Sequence, residues 1–410
     1  MIAELLRHHD MLRAVYNMQE QEIKPVSEIN SHVYVTDLRG IANWEEQLDQ
    51  NKLQAGFPLD KGPLFRAGVF HKEEGDFVLL VCHHLVVDGV SWRIILDDLR
   101  LLYNQYEEGI AFKLPSKTDA FQKWAAMQHE RTLNERLMMQ DMQYWSNLCA
   151  TAVTPLSPGG INKAKDIQSV SFSLSGDATS ALQGPIHEAY NTNINDVLLT
   201  ALGLALQDVF RLSRFFVLLE GHGREDIFPD TDITRTVGWF TTMFPVLLDL
   251  KENAQFDTLV HTKDMLRRIP NKGIGYGMLR YADPAGIKYA VQPDIVFNYL
   301  GDFDQSTGIS ENKDQFEMSA YRHGADISPD IIYDWRISVT SMIVQGKLHT
   351  DIRYGSTLFT KDSIDLLKSS YEKRLHDLIE ALAHTAGRHI TPGDFSYPEL
   401  SITELAAIQE

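Results

Sequence analysis

The chain has 410 residues, 44% of them hydrophobic and 23% charged, a balance typical of a globular protein with room for two or three ordinary domains. Its formal charge of −18 argues against nucleic acid or an anionic membrane as a partner. It has neither the run of roughly 18 apolar residues that a bilayer span needs nor a signal-peptide start, and its two cysteines, Cys82 and Cys149, build no disulfide framework or zinc site by themselves. A reduced, cytoplasmic protein is the expectation.

Residues 1–16 place Leu5, Leu6, His9, Leu12 and Val15 on one helical stripe, which predicts a helix. The cluster His8-His9-Asp10 falls inside it, where neighbours diverge by about 100°, so a surface or capping role is expected for it. Strands are predicted over 31–37 and 64–71, the second joined by a Gly-containing loop to the six apolar residues 77–82, read as a strand buried on both faces. Helices are expected over 90–108 and 119–148. Residues 151–165 concentrate Pro, Gly and Ser and mark a linker between a first lobe, 1–150, and a second, 166–410. In the second lobe, strands are predicted over 170–174, 215–219, 294–299, 335–344 and 347–354, the last two joined by a hairpin turn at Gln345-Gly346. Helices are predicted over 194–210, with Asn193 or Asn195 as N-cap, and over 256–269 and 361–383. Strands and helices mix without strict alternation, so the fold class is α/β with mixed sheets in two lobes.

Two stretches carry chemistry. His83-His84-Leu85-Val86-Val87-Asp88-Gly89-Val90-Ser91-Trp92 sits between the apolar strand and a helix, where side chains stand at the edge of a rigid sheet. Alternation along a strand would send His83 and His84 to opposite faces, leaving one of them for a substrate. A metal site from His83, His84 and Asp88 is disfavoured, because the histidines diverge and no fourth ligand is evident. Cys82 shares a strand face with His84 but reads as a small buried hydrophobe. The second stretch is Glu220-Gly221-His222-Gly223-Arg224-Glu225. Burial at a strand end would raise the Glu220 pKa, and Gly221 and Gly223 permit a sharp turn. The plain alternative is a strand-end Glu220 paired with Arg224.

These stretches resemble the epimerization domains of nonribosomal peptide synthetases, in the condensation-domain superfamily. The first is similar to the HHxxxDG signature and the second to the EGHGRE motif. In family order follow 196–203 (DVLLTALG), 235–245 (RTVGWFTTMFP), 272–277 (KGIGYG) and 297–301 (FNYLG). The Gly-rich piece lacks the spacing and the preceding strand of a nucleotide loop. The resemblance covers nearly the whole chain. It implies a family strand and helix ahead of the first helix that are absent here.

The resemblance implies two chloramphenicol-acetyltransferase-like lobes arranged as a V, with the active site in a tunnel between them. The substrate it implies is an aminoacyl or peptidyl thioester on the phosphopantetheine arm of an upstream peptidyl carrier domain, inverted from L to D at Cα with no cofactor of the enzyme's own. Inversion needs two proton-handling groups on opposite sides of a planar enolate, and His84 and Glu220 are the natural pair. Asn298 and Tyr299 are candidates to stabilise the enolate oxygen, with backbone help near Gly221 and Gly223. Asp88 is expected to pair with an arginine and hold the turn that Gly89 completes, and His83 to bond to backbone. An amphipathic end over 394–410 implies hand-over to a downstream condensation domain or partner synthetase. Two other readings stand beside epimerization: an amide-forming condensation domain, and a catalytically inactive domain that docks a carrier.

Overall fold

The computed structural model of the chain describes all residues except 18–19, 29–31, 45–52, 154, 157–158, 251–254, 283–290, 304–318, 320–326, 396–403 and 406–410. The expected C-terminal amphipathic end therefore lies largely outside the described residues. The helices are α1 (Ile2–His8), α2 (Gly89–Glu107), α3 (Phe121–Thr132), α4 (Glu135–Cys149), α5 (Gly176–Gln183), α6 (Ile194–Phe210), α7 (Gln255–Arg267), α8 (Ile274–Ala282) and α9 (Lys361–Ala383). The strands are β1 (Ala14–Tyr16), β2 (Gln21–Ile23), β3 (Val33–Asp37), β4 (Phe65–His71), β5 (Phe77–Cys82), β6 (Asn162–Lys163), β7 (Ile167–Ser173), β8 (Arg214–Gly221), β9 (Thr242–Asp249), β10 (Ile295–Asp302), β11 (Ile332–Tyr333), β12 (Ile337–Val344) and β13 (Lys347–Gly355).

The chain divides into two compact units that interleave in sequence. The first comprises Met1–Gln128, Asp226–Thr241 and Gln305–Ser328; the second comprises His129–Glu225, Thr242–Asp304 and Pro329–Glu410. This differs from a boundary at 151–165, and the cores explain why. Trp145 on α4 is fully buried in the core of the second unit, whereas Val237 packs into the core of the first.

In the first unit, β3 pairs parallel with β4, and β4 antiparallel with β5. The expectation that 77–82 is buried on both faces fails. β5 is the outer strand of this described three-stranded sheet, most of its residues are half-buried, and Val78 is exposed. The helix expected over 1–16 stops at His8, continues as a 3-10 turn at Asp10–Arg13 and turns into β1. The helix expected over 119–148 is broken into α3 and α4, because Asn134 caps α4 by accepting from the Leu137 amide at 3.3 Å.

The second unit is a six-stranded mixed sheet in the order β7-β13-β12-β10-β8-β9, with β12, β10 and β8 parallel to one another. Helix α6 begins at Asn193 with a capping box that Asp196 completes, which decides between the two expected caps. It is apolar nearly all round and buried over 196–206, packed against α9 and α7. Val217, Leu219, Ile295, Phe297, Ile337 and Val339 meet this helical core from one side of the sheet. Alternation turns the residues between them to the other side, and that places the second chemical group.

Candidate active site

Strand β5 ends at Cys82, and the chain then tightens into a 3-10 turn over His84–Val86. The two histidines therefore do not alternate along a strand as expected. His83 caps the turn, its Nδ1 accepting from the Leu85 amide at 3.2 Å. Val86 and Val87 are drawn into the core, at 0% and 2% exposure, and this apolar anchor leaves the His84 ring exposed. Its imidazole lies 4.6 Å from the Trp239 ring, centroid to centroid. Burial pushes the Cys82 thiol well up, which removes it as a base.

Asp88 is almost fully buried and takes backbone partners. Its Oδ1 accepts from the Ser91 amide at 2.7 Å, capping α2 at Gly89, and its Oδ2 accepts from the Phe240 amide at 3.0 Å. Arg235 bonds to Asp98 on α2. Asp98 also meets His9 Nε2 at 2.9 Å, so His9 is no surface decoration: it is buried at 4% exposure in an ion-paired cluster. Its partner had a readable signal, since Asp98 falls on the same helical stripe as Ile94, Ile95, Leu99 and Leu102. His8, His9 and Asp98 offer atoms within 4.8 Å of one another. The guanidinium on Asp98 opposes a metal cation there.

In the second unit, β8 runs on through Glu220 to Gly221, so Glu220 lies within the strand. The parallel register Phe297↔Leu219 makes Asn298 and Glu220 the next pair along, on the face opposite the helical core. The Asn298 side-chain amide donates to Glu220 Oε2. On the antiparallel side, Glu220 stands opposite Met243 of β9. Burial raises the Glu220 pKa above the ordinary carboxylate value. Tyr299, the other expected oxygen-stabilising residue, turns the opposite way and packs against the core of this unit, so it does not share a face with Asn298.

Beyond the strand, the loop folds on Glu225. Gly223 takes φ 67°, a left-handed conformation that disfavours other residues. The His222 Nδ1 accepts from the Arg224 amide at 3.0 Å, and its Nε2 lies 3.4 Å from Glu225. Lys272 reaches Glu225 at 3.1 Å from a turn where Asn271 and Lys272 both have positive φ. The Asn271 side-chain amide also donates to the buried Asp141 at 2.8 Å, and burial pushes that carboxyl's pKa up. Here the Gly-rich piece resolves into a strained turn followed by α8, with Tyr276 buried in the core. The ties of Lys272 to Glu225 and of Asn271 to Asp141 join residues far apart in sequence, and sequence reasoning missed them.

The class of protein follows from comparison. The condensation domain family model matches residues 1–400, and the chain belongs to that family. The fold is the mixed α/β, chloramphenicol-acetyltransferase-like fold of its structural relatives. The chain is 35% identical over 422 residues to surfactin synthase subunit 1 of Bacillus subtilis (strain 168), with 99% of the chain and 12% of that protein covered. It thus spans about an eighth of the length of that curated relative. Among solved structures it is similar to the epimerization domain from the third module of tyrocidine synthetase B, with a TM-score of 0.85 and 35% identity over 93% of this chain and 87% of that one. A cyclization-docking bidomain from Sorangium cellulosum matches at TM-score 0.68 and 18% identity, over 92% of this chain and 76% of that one, and shows the fold alone. Among the described residues no helix is long and apolar enough to cross a membrane.

Proposed function

We propose that this domain of a nonribosomal peptide synthetase epimerizes the Cα of an aminoacyl or peptidyl thioester presented on the phosphopantetheine arm of an upstream carrier domain. The observation that carries the proposal is Glu220, a largely buried carboxyl with a raised pKa, held by Asn298 on the face of a parallel strand pair opposite the helical core. An amide-forming site has no need of such a second proton-handling group. Similarity to the tyrocidine epimerization domain supports the same reading.

The chemistry is a proton removed from Cα by one group, an enolate of the thioester, and a proton returned to the other face by a second group. We assign the two roles to His84 and Glu220, which exchange them when the direction reverses. A carboxyl with a raised pKa holds a proton at a pH where an ordinary glutamate has lost it, and this suits it to donate as well as accept. Asn298 orients that carboxyl, Asp88 and Gly89 hold the turn under His84, and Gly221, Gly223 and Arg224 shape the loop beyond Glu220. No cofactor of the enzyme's own enters the scheme, because the thioester itself acidifies Cα. No energy source enters either, so the product is a mixture of epimers near equality, and selection of the D form falls to a downstream condensation domain or partner synthetase.

The deciding experiment is uptake of solvent deuterium at Cα of a carrier-bound aminoacyl thioester, with no acceptor amine present. Exchange that is abolished in His84→Ala and Glu220→Ala supports epimerization. Absence of exchange in the intact domain, with amide formation once an amine is supplied, assigns the chain to condensation instead. Carrier binding with neither reaction would mean an inactive docking domain.

A further inference from the structure

The stretch Val237-Gly238-Trp239-Phe240 crosses the start of α2, and its side chains are sorted sharply. Val237 and Phe240 are buried at 3% and 4% exposure, whereas Trp239 between them is 41% exposed. Phe240 is fixed in an aromatic cluster, with Phe121 at 4.9 Å and Trp124 at 6.0 Å. Gly238 lies so close to the Phe121 ring that a Cβ there would come within 2.5 Å of it. A large apolar side chain held out of the core between two anchored neighbours needs a reason, and what it touches is the His84 ring, 4.6 Å away at an interplanar angle of 54°.

The backbone on either side of Trp239 is bracketed by polar groups from the turn that carries His84. The Ser91 hydroxyl, fully buried, donates to the Gly238 carbonyl at 2.8 Å and accepts from the Gly238 amide at 3.0 Å. The Asp88 carboxylate accepts from the Phe240 amide at 3.0 Å while its other oxygen caps α2. One hydroxyl and one carboxylate thus satisfy three buried backbone groups flanking a single exposed indole. The same two residues begin the helix that follows His84, so the imidazole and the indole are referenced to a common anchor.

We propose that Trp239 is a positioning residue for the His84 imidazole, and that Ser91 and Asp88 serve this placement by bracketing the backbone around it. An exposed imidazole on a 3-10 turn has two rotatable bonds and no packing of its own; the indole face removes part of that freedom at little cost in buried area. The placement stands on geometry alone. Its catalytic consequence rests on the reading above, in which His84 handles the Cα proton.

The test uses the whole chain with isotope-labelled histidine, the His84 ring signals being identified by their loss in His84→Gln. An indole at this distance displaces those signals by its ring current. Trp239→Ala abolishes the displacement, Trp239→Phe keeps part of it, and Ser91→Ala reduces it with the indole still present. Signals unchanged by Trp239→Ala, or by Ser91→Ala, overturn the placement or the bracket respectively. The exposed indole can be removed without opening the core, so the result survives even if Ser91→Ala folds poorly. In the deuterium-exchange assay, Trp239→Ala lowers kcat on the order of 10- to 100-fold with KM little changed, and Trp239→Phe recovers most of it. Ser91→Ala adds no further loss in the Trp239→Ala background if it acts through the indole; additive losses overturn that link. Exchange that persists in His84→Ala while the ring signals behave as described removes the catalytic reading and leaves the placement standing.

Discussion

In the first unit an exposed imidazole rides on a 3-10 turn at the end of a short sheet, whereas in the second a largely buried carboxyl stands on an inner strand of a six-stranded one. The first group needs neighbours to hold it, and it has an indole, a capping aspartate and a bracketed loop. The second needs little holding, because β8 and β10 fix its backbone and Asn298 its oxygen. The price it meets is desolvation, visible as a raised pKa. In the reaction proposed above, the handling of a proton is thus supported by surface restraint in one place and by burial in the other.

That contrast can be broken most forcefully in the exchange assay. His84→Ala and Glu220→Ala should each lower the rate on the order of 10²–10⁴-fold. Circular dichroism melting should show His84→Ala close to the parent in stability. A large loss of Tm in His84→Ala would mean that the turn depends on its imidazole.

Next in size is the scaffold beneath Glu220. Phe297→Ala removes a fully buried ring one residue before Asn298 and should cost about 3–5 kcal/mol in urea unfolding. In the first unit, Ser91→Ala strands the buried Gly238 amide and carbonyl and should cost about 1–3 kcal/mol. Equal costs for the two would erase the distinction between a packed and a bracketed support.

The comparison is sharpened by pH. With its folded pKa raised, Glu220 keeps a proton that the unfolded chain has already released, so the folded state loses stability as pH climbs through that interval. Glu220→Gln accepts from Asn298 as before but cannot ionise. Its stability relative to the parent should begin to rise above the ordinary glutamate value of 4.5 and level off once the parent carboxyl is ionised. A pH-independent difference would show that Glu220 is not desolvated. The smallest effect is expected at Lys272, where glycine relieves a left-handed residue by about 1 kcal/mol and loses an ion pair worth about as little. Thermal melting of Lys272→Gly should therefore shift little, while a measurable fall in exchange rate would show that the turn steadies the loop after Glu220.

Much of the frame could be read from the residues. The helices over 194–210 and 361–383 are where the apolar period places them, since long periodic segments with polar caps have few alternatives. The motifs around His84 and Glu220 stood out because they interrupt apolar runs with glycine and titratable groups. The strand over 242–249 and the helices over 176–183 and 274–282 were missed, their patterns being short and, in the last, opened by glycines. The break at Leu133 and Asn134 was hidden inside a periodic stretch, for a single cap outweighed continuity of propensity.

By itself, then, the sequence determined the long periodic segments, such as the helices over 194–210 and 361–383, and which residue types could move a proton, because periodicity and local chemistry act between near neighbours. Only the tertiary structure decided what those groups touch: Glu220 against Asn298, Asp98 between His9 and Arg235, Trp239 over His84. Such pairings join residues 78 to 155 positions apart in the chain, and their strength depends on burial and direction, which exist only once the chain has folded.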